Sequence, residues 1–297
     1  MTAPRQILPG TTYLITRRCF QRFLLLRPSP MTTAIFHYAL AVAAARTAVL
    51  VHAFCVLSNH LHLVVTDPDA RLPEFERQLN SLVARAMNVH LGRSETFWAP
   101  ASYSAVALLT PDDIVNKVAY VLANPVAAGL VPEARAWPGA WSAPELLGDG
   151  RIEAPRPEIF FRRNGRMPPS AELALTVPPG FESVAAFRAS VVAALEALER
   201  AARVDENGRP RTFLGVPRIL AQSPFSTPRS VEPRGGLKPR IASHDRWKRV
   251  EALARLATFV DAYRRAFAVR RSGGVAIFPA GTYWMRVAHG AACFAPS

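Results

Sequence analysis

His60-Leu61-His62 and Tyr120 are the residues whose types and spacing offer chemistry. The histidines fall in a run, HLHLVVT, that reads as a β-strand. Side chains alternate across a strand, so both imidazoles share one face and Leu61 takes the other. Neutral imidazoles on one face suit a divalent metal ion. The same spacing also occurs incidentally in strands, and by itself it names neither metal nor reaction. Tyr120 lies in a segment with helical spacing. At about 100° per residue, Ile114, Val118, Val121 and Leu122 fall on one face. Tyr120 falls opposite, with Asp113, Lys117 and Asn124, and Asn124 comes one turn after it. Alone, such a tyrosine reads as a surface residue with its hydroxyl in water. Together the two features make one chemistry. A metal on the histidines polarises a phosphodiester, and a tyrosine hydroxyl attacks phosphorus to form a covalent intermediate. That intermediate conserves the energy of the broken linkage, so a strand can be rejoined without ATP.

The elements that must position these residues are legible in order. Residues 11–20 are β-branched and aromatic and read as a strand, 32–46 as an Ala-rich helix, and 48–57 as a buried strand. Ser58-Asn59 is a turn, 60–66 the next strand, 73–90 a helix and 97–108 a fourth strand. The order βαββαβ predicts an α+β fold, a ferredoxin-like core with an antiparallel sheet. A helix over 111–123 follows. Thr110 caps it, Pro111 fits its first position, Asp113 adds negative charge to its first turn, and Asn124-Pro125 ends it. A boundary near residue 150 divides the chain into 1–150 and a basic, mainly helical region, 151–297. That region carries helices at 183–203, 216–222 and 245–271, a basic Pro/Gly-rich loop over 210–240, and a terminal strand over 278–287.

The chain has 297 residues, with 36 Lys and Arg against 22 Asp and Glu, a net charge of +14. Residues 1–150 hold 12 basic and 10 acidic residues, leaving 24 and 12 for 151–297. The excess of the second half fits nucleic acid, or equally an Arg-, Ala- and Pro-rich composition. Cys19, Cys55 and Cys293 form no CxxC pair, which argues against a zinc ribbon or a disulfide framework and for a reducing cytoplasm. The N-terminus has no continuous apolar core of a signal peptide. His37, Arg46 and His52 interrupt the apolar stretch 36–57, which reads as helix then strand and not as a membrane span. His37, His52, His90, His244 and His289 are isolated and read as structural or surface groups.

The run Val56-Leu57-Ser58-Asn59-His60-Leu61-His62-Leu63-Val64 resembles the HUH strand of single-tyrosine transposases. The run from Tyr120 through Asn124-Pro125 to Val131 is similar to the tyrosine helix of REP-associated tyrosine transposases. Trp137 and Trp141-Ser142 match the tryptophan-serine element that follows in that family, and 10–18 its opening strand. The resemblance covers about residues 5–145, with Ser58 where a proline is more usual. It implies a ferredoxin-like nuclease core acting as a homodimer with Mg²⁺ or Mn²⁺, in the bacterial cytoplasm with the nucleoid. Carried over, His60 and His62 are metal ligands, Tyr120 is the nucleophile, and Asn124 falls where a polar third ligand stands. The implied reaction is endonuclease and strand-transfer chemistry on single-stranded DNA near a hairpin. It leaves a 5′-phosphotyrosine and a free 3′-hydroxyl.

Residues 151–297 lie outside the resemblance, with a DNA-binding or dimer-supporting role expected of them. Arg residues in 209–240 and 245–271 can meet phosphates, and Trp247, Phe259 and Tyr263 can stack on bases, although helical spacing favours packing for the last two. Two other readings stand beside the first. One is a domesticated protein that binds a DNA hairpin without cutting it. The other is a metal-dependent phosphodiesterase acting on small molecules or RNA.

Overall fold

Four apolar, β-rich segments become strands: Thr11–Arg18 (β1), Leu50–Leu57 (β2), His60–Asp67 (β3) and Ser104–Leu108 (β4). They pair antiparallel in the order β2-β3-β1-β4. The computed structural model describes residues 4–100, 103–162, 164–205, 207–229 and 239–295. Helix Pro30–Thr47 (α1) links β1 to β2, and Leu72–His90 (α2) links β3 to β4, so the expected order βαββαβ is the order found. The β2–β3 hairpin turns on Ser58-Asn59.

The sheet is covered on both faces, and two apolar cores follow. Tyr13, Ile15, Leu61, Leu63 and Val65 point toward α1 and α2. Leu14, Val64, Val106 and Leu108 point toward Pro111–Ala127 (α3), which carries Tyr120. Such double coverage explains why β2 and β3 are buried almost throughout. After α3 come a hairpin, Arg151–Pro155 (β5) with Ser170–Ala174 (β6), and helix Val184–Ala202 (α4). Phe187, Val191 and Leu195 of α4 join the core around α3. Next are Val216–Ala221 (α5), Ile241–Ala242 (β7), Arg246–Arg271 (α6) and Tyr283–His289 (α7). β7 extends the sheet beside β4 as a short parallel strand. Among the described residues no helix is long and apolar enough to cross a membrane.

Several boundaries differ from the sequence reading. α3 runs through Pro125 to Ala127 instead of stopping at Ala123. Proline removes only its own amide bond to Val121, and buried Val126 rewards the extra turn. The fourth strand is confined to 104–108, because Trp98 makes only an isolated bridge to Cys19. The strand expected over 278–287 is instead α7, ended by Gly290 at φ 56°; Phe278 and Thr282 make only isolated bridges, to Cys293 and Gln6. The β5–β6 hairpin was not foreseen. Of the loop expected over 210–240, residues 230–238 lie outside the described residues.

The outer edge of β2 is closed by residues 137–142. Val56 N donates to Ala140 O at 2.9 Å, and Ser142 N to Phe54 O at 3.0 Å. The Ser142 hydroxyl accepts from Phe54 N (2.9 Å) and donates to Phe54 O (3.1 Å). Trp137 Nε1 donates to Val56 O at 3.1 Å. An edge strand's backbone groups need such partners when buried.

At the other end of β2, fully buried His52 marks the bulge between Val51 and Ala53. Its Nδ1 lies 2.8 Å from the carbonyl of Thr176 and must donate. Its Nε2 therefore accepts from Thr66 Oγ1 at 2.7 Å, which in turn accepts from Thr12 Oγ1 at 2.7 Å. Burial lowers the His52 pKa to about 4. The unfolded imidazole titrates near 6.5, so the unfolded chain binds more protons between these values. Stability is therefore lost as pH falls from about 6.5 to 4, by about 3 kcal/mol at ~1.4 kcal/mol per pKa unit. Urea unfolding of wild type and His52→Gln should show the wild type more stable at pH 7.5 and the gap closing by pH 4. A gap independent of pH would mean that His52 is not buried in its neutral form.

Candidate active site

β3 brings His60 and His62 to the face that α3 covers. In the register of the sheet, His62 stands opposite Thr16 on β1 and Cys55 on β2, and His60 opposite Arg18 and Leu57. The two imidazole centroids are 4.8 Å apart, edge to face. The Tyr120 ring packs edge-on against His62 with centroids 5.5 Å apart. Tyr120 is 39% exposed. Lys117, one turn earlier, places Nζ 5.5 Å from the Tyr120 ring centroid. Asn124, one turn later on the same stripe, is 7% exposed.

This placement of Tyr120 follows from how α3 is fixed. Ile114, Val118, Val121 and Leu122 are buried against the sheet, each contributing about 1.5–3 kcal/mol. Thr110 and Asp113 form a capping box, each side chain meeting the other's amide at 3.1 Å. Trp141 Nε1 donates to Leu122 O at 3.1 Å, next to the carbonyl that Pro125 leaves without its partner. Asp113 also accepts from His244 N at 2.8 Å. Burial would raise the Asp113 pKa, but the His244 amide and the Ser243 and Thr110 hydroxyls outweigh it and hold the carboxyl below its usual range.

The histidine rings are held from behind. Asn59 Oδ1 lies 2.6 Å from His60 Nδ1. A carbonyl oxygen only accepts, so His60 carries its proton on Nδ1 and its lone pair on Nε2. Thr16 Oγ1 lies 2.9 Å from His62 Nδ1, a contact that orients the ring in either hydrogen-bonding sense. The turn carrying Asn59 is anchored by Leu26 N on Ser58 O and Cys19 N on Asn59 O, both 2.8 Å. Burial above all, then the charges of His60 and Arg18, push His62 well below the ordinary histidine pKa. Its ring is thus neutral at physiological pH.

The structure therefore brings His60, His62 and Tyr120 into one chain of ring contacts and sets Asn124 on the same helix stripe. The roles of Thr16 and Asn59 were not read from the sequence. Asn59 was visible only as a turn residue, and Thr16 meets His62 through a strand pairing that no local pattern announces. A cavity of about 760 Å³ lies elsewhere, lined by Tyr13, Ala107, Arg240, Arg255 and Phe259. Tyr13 and Ala107 point away from the histidine face, so this cavity is on the far side of the sheet.

Solved structures similar to this chain include two transposases. One is a REP-associated tyrosine transposase bound to a REP hairpin, with 21% identity, a TM-score of 0.40, and coverage of 47% of this chain and 81% of that one. The other is a candidate transposase from Deinococcus radiodurans R1, with 20% identity, a TM-score of 0.29, and coverage of 36% and 85%. No family profile and no curated protein matches the chain.

The hydrogen-bond geometry makes a direct forecast. Long-range imidazole ¹⁵N correlation spectra at pH 7.5 should show His60 as the Nδ1–H tautomer. Asn59→Ala should convert it toward a tautomer mixture while His62 stays neutral. An Nε2–H pattern for His60 in the wild type would contradict the Asn59 contact.

Proposed function

We propose that this protein is a metal-dependent, transposase-like endonuclease and strand transferase for single-stranded DNA near hairpins, with Tyr120 as its nucleophile. The observation that carries the reading is the edge-to-face series His60, His62, Tyr120 within one chain. The sequence resemblance of the strand and helix supports it, and the strand order β4-β1-β3-β2 with its two crossover helices fits a ferredoxin-like nuclease core. Tyrosine and histidines come from the same chain, so a homodimer, which the resemblance implies, is not required to complete the site.

The donor set fits a divalent ion. Two imidazoles stand side by side, one of them with its Nδ1 proton accepted by Asn59, an arrangement that leaves Nε2 as the ligating atom. Among the described residues no three His, Cys, Asp or Glu side chains are grouped for a metal. Further ligands would come from Asn124, water or the substrate. When bound, Mg²⁺ or Mn²⁺ would polarise the scissile phosphate and neutralise charge developing on it. Tyr120 Oη would form the new bond to phosphorus as the bond to the 3′-oxygen breaks, the tyrosine proton passing to solvent and the 3′-oxygen gaining one. Attack by a 3′-hydroxyl reverses these steps and rejoins a strand. Lys117 sets a positive charge beside the Tyr120 ring, where it would favour an incoming phosphate.

Incubation with hairpin-bearing single-stranded DNA and Mn²⁺ should yield an adduct that survives denaturing electrophoresis. Tyr120→Phe should abolish it. His60→Ala and His62→Ala should each reduce it by about 10²-fold or more, the loss expected when electrostatic stabilisation at the reacting centre goes. Asn59→Leu should weaken Mn²⁺ affinity by about 10- to 100-fold, the usual cost of removing an outer-shell partner. Tight hairpin binding with no adduct under any divalent metal would favour the domesticated binding protein instead, and an adduct formed by Tyr120→Phe would place the nucleophile elsewhere.

A further inference from the structure

The polar stripe of α3 does not end at its N-terminus. Asp113, Lys117, Tyr120 and Asn124 are spaced to lie on one side of the helix. Asp113 anchors the far end, with Oδ2 on Thr110 N and Oδ1 on His244 N. The second bond sets residues 243–245, and so the start of α6, against the first turn of α3. β7 holds this junction from the sheet side: it pairs with β4, and Ala107 N donates to Arg240 O at 2.8 Å. Asp245 then caps α6 through the amides of Trp247 (2.9 Å) and Lys248 (3.0 Å).

Trp247 stands three residues beyond His244 and is 77% exposed. The Arg246 guanidinium lies 5.9 Å from its ring centroid. An indole so open has no packing role in the chain and offers a whole face to a partner. The charge around it chooses the partner. α6 carries eight Arg and Lys against only Glu251 and Asp261, and three of the basic residues, Arg246, Lys248 and Arg249, flank Trp247. A second copy docking here would bring like charges together, whereas a polyanion would not. Asp112 is the opposing charge in the first turn of α3. Asp113 and Asp245 have their carboxylates on backbone amides, which offsets part of theirs.

We infer that the polar stripe of α3 and the first turn of α6 form one track for single-stranded DNA, with Lys117, Arg246 and Lys248 at phosphates and Trp247 stacked on a base. The track starts at Tyr120 and so rests on the function proposed above. Its length follows from chain geometry. Seven residues of helix from Asp113 to Tyr120 span about 10 Å. Three residues from His244 to Trp247 span at most about 11 Å. Together they fit about six nucleotides stacked at ~3.4 Å each.

The test uses the full chain bearing Tyr120→Phe, so that binding is not obscured by covalent trapping. Fluorescence anisotropy would compare a hairpin carrying a two-nucleotide single-stranded tail with one carrying eight, tails placed at the 5′ or the 3′ end. The longer tail on one side should tighten binding at least about five-fold, the gain from one stacked base. Adding Trp247→Ala should remove that gain, while Trp284→Ala, at another exposed indole on α7, should retain it. Arg246→Ala with Lys248→Ala should lower the slope of log affinity against log salt by about 0.7 for each phosphate no longer neutralised. If Trp247→Ala keeps the full tail gain in a normally folded protein, the track is wrong. The adduct assay with Tyr120 intact separates this from the chemistry. No adduct with a Trp247-dependent tail gain sinks the chemistry and leaves the track, whereas an adduct without such a gain does the reverse.

Discussion

In β3 the even-numbered side chains His60, His62 and Val64 face α3, while Leu61, Leu63 and Val65 are fully buried on the side of α1 and α2. A slip of one residue in strand pairing would exchange the two sets. It would drive two imidazoles into an apolar core and turn three large aliphatic groups onto Tyr120. The cost of burying a polar group without a partner, about 1–3 kcal/mol each, adds to the forfeited apolar burial. The register that aligns Thr16 with His62 is therefore enforced by the core, and the site inherits its geometry from that enforcement.

The helix opposite is held by a different balance. Its apolar stripe supplies the energy, but an apolar stripe alone leaves rotation about the axis loosely set. The specific bonds fix it: the Thr110–Asp113 box and the His244 amide at one end, the Trp141 indole near the other. Pro125 would weaken an isolated helix by about 3 kcal/mol. Here it lies beyond the turn that carries Tyr120 and Asn124, within a segment that is itself buried. The tryptophan-serine segment serves both sides of this arrangement. Its serine and Trp137 seal β2, and Trp141 braces α3.

What the sequence disclosed follows from the range of the interactions. The alternation of His60, Leu61 and His62, the polar stripe through Tyr120, and the cap at Thr110 are local and readable. So was the βαββαβ order. The helix stop at Pro125 was misplaced because tertiary burial overrides a local breaker. The β5–β6 hairpin escaped because its strands are short and separated by a Pro- and Arg-rich stretch. The terminal strand was misread because FPAGTYWMRV is rich in aromatic and β-branched residues, yet Phe278 and Thr282 make only isolated bridges while Gly290 closes a helix. The contacts of Thr16 with His62 and of Asp113 with His244 join residues 46 and 131 positions apart. No windowed pattern carries information over that separation.

Cys55 has a consequence of its own. It stands across from His62 in the β2–β3 pairing and is fully buried in the core beneath α3. A thiolate beside two imidazoles would invite a soft ion such as zinc and hold it firmly. Burial pushes the Cys55 thiol far above its ordinary range, so it stays protonated and apolar. The sulfur nearest His62 in the strand pairing thus serves as a small apolar group of the core.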